Sequence, residues 1–145
     1  MNHPTTPRLG ERIIAFLNSA ITAREEAAHG APRGPWSVRL DDDAIVAPDG
    51  ITVTEAFALS GQQIRSILNL IALHDATEVL RRCAADRKLI ALHHNDGFEC
   101  PVCAGEPWVD EDSEGNGEWI RSSISAPCPT LLALAEGYGW AEGAR

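Results

Sequence analysis

Cys100 and Cys103 stand two residues apart in Cys100-Pro-Val-Cys103, and Ala104-Gly105 follows at once. Two thiolates at this spacing can occupy neighbouring corners of one metal ion while small residues let the backbone turn beneath it, as in a zinc knuckle. Cys128 offers a third thiolate after 24 intervening residues. His93 offers a nitrogen from upstream, with His94 as its rival, since adjacent positions present one imidazole rather than two to the same point. Four protein donors fill a tetrahedral Zn2+, so the expected chemistry is structural: the ion ties chain segments together and activates no water. A redox C-x-x-C or an iron–sulfur cluster would use the same cysteines differently. In zinc-finger peptides the binding is worth about 10–16 kcal/mol, so loss of Cys100 is expected to cost folding before it costs any reaction.

Other residues suggest chemistry less strongly. Cys83 lies ten residues before His93, a rise of about 15 Å on a continuous helix, too far to share the ion, and it reads as a core residue. His74-Asp75 is the pair a metal-dependent hydrolase would need, with His29 or His3 completing the set, yet Asp75 is already explained as a helix cap and His74 as a helix end. Asp110 to Gly115 begins like a calcium loop, but its twelfth position is Arg121, where a bidentate Glu is required. Arg81, Arg82, Arg87 and Lys88 gather four of the twelve basic residues on one stretch, which is either a solvated helix face or a nucleic-acid contact.

Secondary structure has to bring the metal donors together. Residues 6–29 predict a long first helix, capped by Thr6, with Pro7 in its first turn, apolar Ile14, Leu17, Ile21 and Ala28 at helical spacing, and Gly30 at its end. The alternation in residues 36–40 and the runs 44–47 and 51–54, split by Pro48-Asp-Gly50, predict a small antiparallel hairpin or meander. Ser60 and Gln63 form a capping box for a second helix with Ile64, Ile67, Leu68 and Ile71 as its apolar stripe. Asp75 and Glu78 open a third helix running to about His93, with Val79, Leu80, Cys83 and Ile90 inward. A ribbon formed by residues 108–110 and 118–121 then spans an acidic tip. Cys128-Pro-Thr-Leu starts a short last helix, whose free amides favour the Cys128 thiolate, and the tail from Gly137 is expected to fray.

The whole chain limits what these elements can be. At 145 residues, 44% apolar and 23% charged, it is expected to be one domain with a real core. That domain would comprise residues 6–73 (first helix, small sheet, second helix) and residues 74–140 (third helix, zinc knuckle with acidic hairpin, last helix). Four Trp, three Phe and one Tyr leave the core to aliphatic side chains. A net charge of -9 repels a phosphate backbone and suits solubility or a basic protein partner. The first residues lack a leader pattern and no apolar stretch reaches about 18 residues, so a cytoplasmic protein with no membrane contact is expected, and its cysteines read as a metal site before disulfides.

His74-Asp-Ala-Thr-Glu-Val-Leu80, Arg87-Lys-Leu-Ile-Ala-Leu-His93, Cys100-Pro-Val-Cys103 and Cys128-Pro-Thr-Leu131 in this order resemble an uncharacterised family of actinobacteria and their phages, the domain of unknown function six-two-two-one. The resemblance runs from about His74 to Leu134 and favours His93 over His94. It departs after Leu134, where the family's longer Pro-, Tyr- and Asp-containing tail is missing. It implies a host or phage accessory role and no assigned activity. Together these readings predict an α+β, helix-rich fold with a C-terminal zinc knuckle. They also predict a non-enzymatic interaction or regulatory module with an unidentified protein partner. The alternatives are a nucleic-acid regulator using residues 78–90 and a hydrolase using His74 and Asp75.

Overall fold

The computed structural model describes residues 7–55, 61–94, 99–122 and 124–141. In chain order they form α1 (Leu9–Gly30), β1 (Ser37–Arg39), β2 (Ala44–Val46), β3 (Thr52–Glu55), α2 (Gly61–Leu73), α3 (Ala76–His93), β4 (Trp108–Glu111), β5 (Gly117–Ile120) and α4 (Pro129–Gly137). The expected α+β class, with a three-stranded antiparallel meander β1-β2-β3 and a separate two-stranded ribbon β4-β5, is what the chain adopts. The residues divide into two compact units, one of Met1–Ala20 with Asp86–Arg145 and the other of Ile21–Ala85.

In the unit of Ile21–Ala85, β2 is the central strand: Val38 pairs with Ile45 on one side and Thr54 with Ile45 on the other. The turn into β3 closes through Gly50 N–H to the Ala47 carbonyl at 2.9 Å, and Gly50 sits at φ 84, a left-handed conformation that glycine adopts without steric cost. Ile45, Ile64 and Leu68 form the buried cluster, with Trp36, Val38, Val53 and Ile71 packed around it. The predicted stripe on α2 is therefore narrower than its spacing suggested. Ile64 and Leu68 are buried, but Ile67 is exposed, because a three-stranded sheet of three- and four-residue strands covers only one narrow face of the helix. Ser60, the expected cap, lies outside the described residues.

Asp75 shows what the His-Asp corner does locally. One carboxylate oxygen accepts the Glu78 N–H at 2.9 Å, capping α3, and the other accepts the Trp36 N–H at 3.4 Å. Gly34 N–H donates to the Thr77 hydroxyl at 3.1 Å, and a Cβ on Gly34 would collide with the Asp75 carboxylate. The buried carboxylate thus joins the α3 start to the segment entering β1. Replacing Asp75 by Ala removes a cap and strands a half-buried amide, so it should lower stability by about 1–3 kcal/mol. Urea titration checks this, and an unchanged midpoint would show that the cap contributes nothing.

In the other unit, α1 buries Ile13 and Leu17, and α4 buries Leu131, Leu134 and Ala135. Helix α1 begins at Leu9 rather than near Thr6, which lies outside the described residues. Arg8 N–H instead donates to Glu11 Oε2 at 2.8 Å, satisfying a donor ahead of the first turn. The expectation of a fraying tail is corrected over the described residues to 141. Tyr138 donates its hydroxyl to Asp86 at 2.6 Å, Trp140 meets Phe16 edge-on at 5.1 Å, and Arg12 lies 5.5 Å from the Trp140 ring centre. Asp86 is only 1% exposed. A buried carboxyl requires such a partner, and three aromatic side chains give the tail enough apolar area to hold it down.

Candidate metal centre

Helix α3 ends by presenting His93 from its last turn, buried at 8% exposure. Glu99 and Cys100 run antiparallel to the segment before α4, through the Glu99–Ser125 bridge and Cys100 N–H donating to the Ile124 carbonyl at 2.9 Å. The knuckle then turns: Ala104 N–H reaches the Cys100 carbonyl at 3.2 Å, and Gly105 N–H reaches the Ser122 carbonyl at 3.0 Å. A Cβ on Gly105 would stand 3.1 Å from the Ser122 Cβ, so a larger residue would press on Ser122 where the two backbones approach. Arg121 braces the same turn, with Nε donating to the Gly105 carbonyl at 2.9 Å and its terminal nitrogen to the Pro101 carbonyl at 3.4 Å. Cys128 immediately precedes α4, in extended backbone, with Pro129 opening the helix.

These segments bring His93, Cys100, Cys103 and Cys128 together, with all four donor atoms within 4.8 Å of one another. His93 Nδ1 lies 3.4 Å from the Cys100 sulfur, 3.4 Å from Cys103 and 3.6 Å from Cys128. Zinc–sulfur bonds of about 2.3 Å and a zinc–nitrogen bond of about 2.0 Å at tetrahedral angles imply a nitrogen–sulfur edge of about 3.5 Å. The donor set and its spacing therefore fit one tetrahedral ion. None of the four cysteines is in a disulfide.

The electrostatics also suit a cation. Burial pushes the Cys100 thiol up, but the backbone N–H groups of Cys103 and Val102, with His93 and the Cys103 side chain, outweigh it and bring the thiol down to about 6. Cys103 N–H lies 3.4 Å from the Cys100 sulfur. Cys103 is pushed the other way, first by burial and then by the sulfurs of Cys100 and Cys128, with the Thr130 hydroxyl opposing. Three thiols crowded on one point resist joint ionisation unless a positive charge lies between them, which is what a bound cation provides.

Thr130 is the residue that ligand spacing misses. Its hydroxyl lies 3.8 Å from the Cys103 sulfur, placed to donate to a thiolate there, as hydrogen bonds from outside the donor set do in metal centres. The only signal for it was its place in Cys128-Pro-Thr-Leu131. Of the remaining candidates, His94 is half-buried and outside the cluster, and Cys83 is buried with its sulfur near the Ile21 carbonyl at 4.0 Å. His74 is exposed and Asp75 is engaged as described. Arg81 pairs with Glu78, Arg87 donates to Asn18 at 3.4 Å, and Arg82 and Lys88 are exposed. Asp112 organises a loop tip, accepting the N–H groups of Glu114 and Asn116, both at 2.9 Å, rather than a calcium ion's ligand sphere.

Fold and site together define a small α+β protein with a closed His/Cys cluster that could hold one metal ion. The chain belongs to a family of unknown function (DUF6221), whose model matches residues 10–139. That match takes in α1 and the meander, well beyond the stretch from His74 to Leu134 on which the sequence motifs lie. No curated protein and no solved structure matches the chain. Among the described residues, no helix is long and apolar enough to cross a membrane.

Proposed function

We propose that this protein is a non-enzymatic interaction or regulatory module stabilised by one structural Zn2+ held by His93, Cys100, Cys103 and Cys128. The observation that carries the reading is the convergence of three sulfurs on one imidazole nitrogen at 3.4–3.6 Å. Four protein donors leave no corner for water or substrate, which favours a structural over a hydrolytic ion. An iron–sulfur cluster needs room for sulfides between its thiolates, whereas here every sulfur approaches the same nitrogen, and a histidine and three cysteines suit zinc. When bound, the ion would supply cross-linking. His93 would anchor the end of α3, Cys100 and Cys103 the knuckle, Cys128 the start of α4, and Thr130 would hold the Cys103 sulfur in place.

Metal-bound thiolates suit a reducing compartment, which supports a cytoplasmic location. A protein partner is favoured over nucleic acid by the net charge of -9 and by Arg81 and Arg87, among the candidate contacts, being turned to neighbours within the chain. An accessory role in an actinobacterium or its phage is what the motif resemblance implies. Intact mass measured under native and then denaturing conditions tests the reading. A difference of one zinc per chain supports it, and a metal-free chain, or a difference matching iron and sulfide, overturns it.

A further inference from the structure

We propose that the β4-β5 ribbon is a docking strand pair for an extended, basic polypeptide segment in which Lys or Arg alternates with apolar residues. The inference rests on the interaction reading above and names its surface and the chemistry of its partner. Both strands are exposed along their length, only Ile120 being half-buried. Trp119 is 72% exposed, Trp108 48% and Val109 40%. A two-stranded ribbon with no packed face is marginal in water unless something else holds it. Here its base is held by Gly105, Ser122 and Arg121, and its tip by Asp112, which also accepts the Asn116 side-chain amide at 3.2 Å. The ribbon is thus fixed at both ends while its aromatic side chains stay in solvent.

Register sorts its side chains. Trp108 pairs with Ile120 and Asp110 with Glu118, so these four share one face; Val109 pairs with Trp119 and Glu111 with Gly117 on the other. A Cβ on Gly117 would collide with Val109 Cγ1, so Val109 lies over the glycine beside Trp119. Asp110 and Glu118 are like charges directly opposite each other, an unfavourable cross-strand pair that a cation would relieve. From Ala104 to Ile120 the chain has six acidic residues and no Lys, Arg or His, so no charge within this stretch does so. Among the described residues β4 and β5 pair only with each other, so each strand also has one edge without a strand beside it. A segment added at that edge projects alternate side chains to opposite faces. Its Lys or Arg residues meet Asp110, Glu118 and the Trp108 ring, and its apolar residues meet Val109 and Trp119.

The test uses the full chain, an acetylated and amidated Lys-Val-Lys-Val-Lys-Val peptide, and a Lys-Gly peptide of equal charge and length. Backbone amide shifts confined to residues 108–120, with affinity falling steeply as salt is added, are expected. D110N/E118Q and, separately, W119A should each weaken binding by about tenfold or more. Helical circular dichroism and metal content should stay unchanged in both variants. No shifts up to about 1 mM peptide, equal binding of the Lys-Gly peptide, or shifts outside the ribbon would overturn the proposal. So would equal or tighter binding of single-stranded DNA or anionic vesicles to the same residues. Native mass of the same samples separates the two readings. Peptide binding by a metal-free chain refutes the zinc site and leaves the ribbon; a zinc-loaded chain that ignores the peptide refutes the ribbon alone.

Discussion

Cys128→Ser is expected to release the proposed zinc and to loosen the knuckle and the start of α4. The end of α3, the knuckle and the start of α4 meet at the four donor atoms, and few other contacts among the described residues hold the knuckle: one backbone bridge, a few hydrogen bonds and the Arg121 brace. Zinc binding of about 10–16 kcal/mol is as large as the whole stability of an ordinary domain, about 5–15 kcal/mol. Removing one thiolate should therefore lower the melting temperature by more than about 10 °C. Amide exchange over residues 99–105 and 128–137 should become fast. Cys83→Ser is the matched control. Cys83 is buried outside the cluster, so that change should cost only about 1–3 kcal/mol and leave the metal content intact. Equal effects of the two substitutions would mean that Cys128 acts as a core residue.

Leu68→Ala carries the second large effect, in the unit of Ile21–Ala85. Leu68 is fully buried against the meander in a cluster with few members, and strands of three and four residues cannot close far over a cavity. The loss should be about 2–5 kcal/mol, read from the urea midpoint with Trp36 fluorescence as the local probe. Ile67→Ala, one residue earlier on the exposed side of α2, should change stability by less than about 1 kcal/mol. A Leu68→Ala loss below that value would show that the meander is not packed on α2 through this residue.

Much of this architecture was legible because local rules and tertiary needs agree. Asp75 followed by Glu78 opens α3 as read, and Pro48-Asp-Gly50 makes the turn between β2 and β3. Cys100-x-x-Cys103 with Cys128 and His93 gathers at one point, legible because metal-ligand chemistry, as proposed here, would constrain spacing more tightly than propensity does. Other features were not legible. Asp86 reads as a surface residue of a charged helix until Tyr138, 52 residues later, is seen to donate to it. The tail opens with Gly137-Tyr-Gly-Trp140, which looks like a fraying segment, and only the distant positions of Phe16 and Arg12 make it a packed one over the described residues. Ile67 keeps the helical period of its stripe but finds no sheet opposite, since periodicity states which residues share a face and not how wide a face is covered.

Zinc K-edge X-ray absorption on protein purified without added metal reads the donor shell of the proposed site itself. A zinc edge with a four-donor shell of three sulfurs at about 2.3 Å and one nitrogen at about 2.0 Å is expected. A His93→Ala variant, if it retains zinc, should replace that nitrogen by a water oxygen, while a His94→Ala variant should change nothing. An iron edge, a shell with a water oxygen in the unsubstituted protein, or a His94→Ala variant that alters the shell would contradict the proposed site.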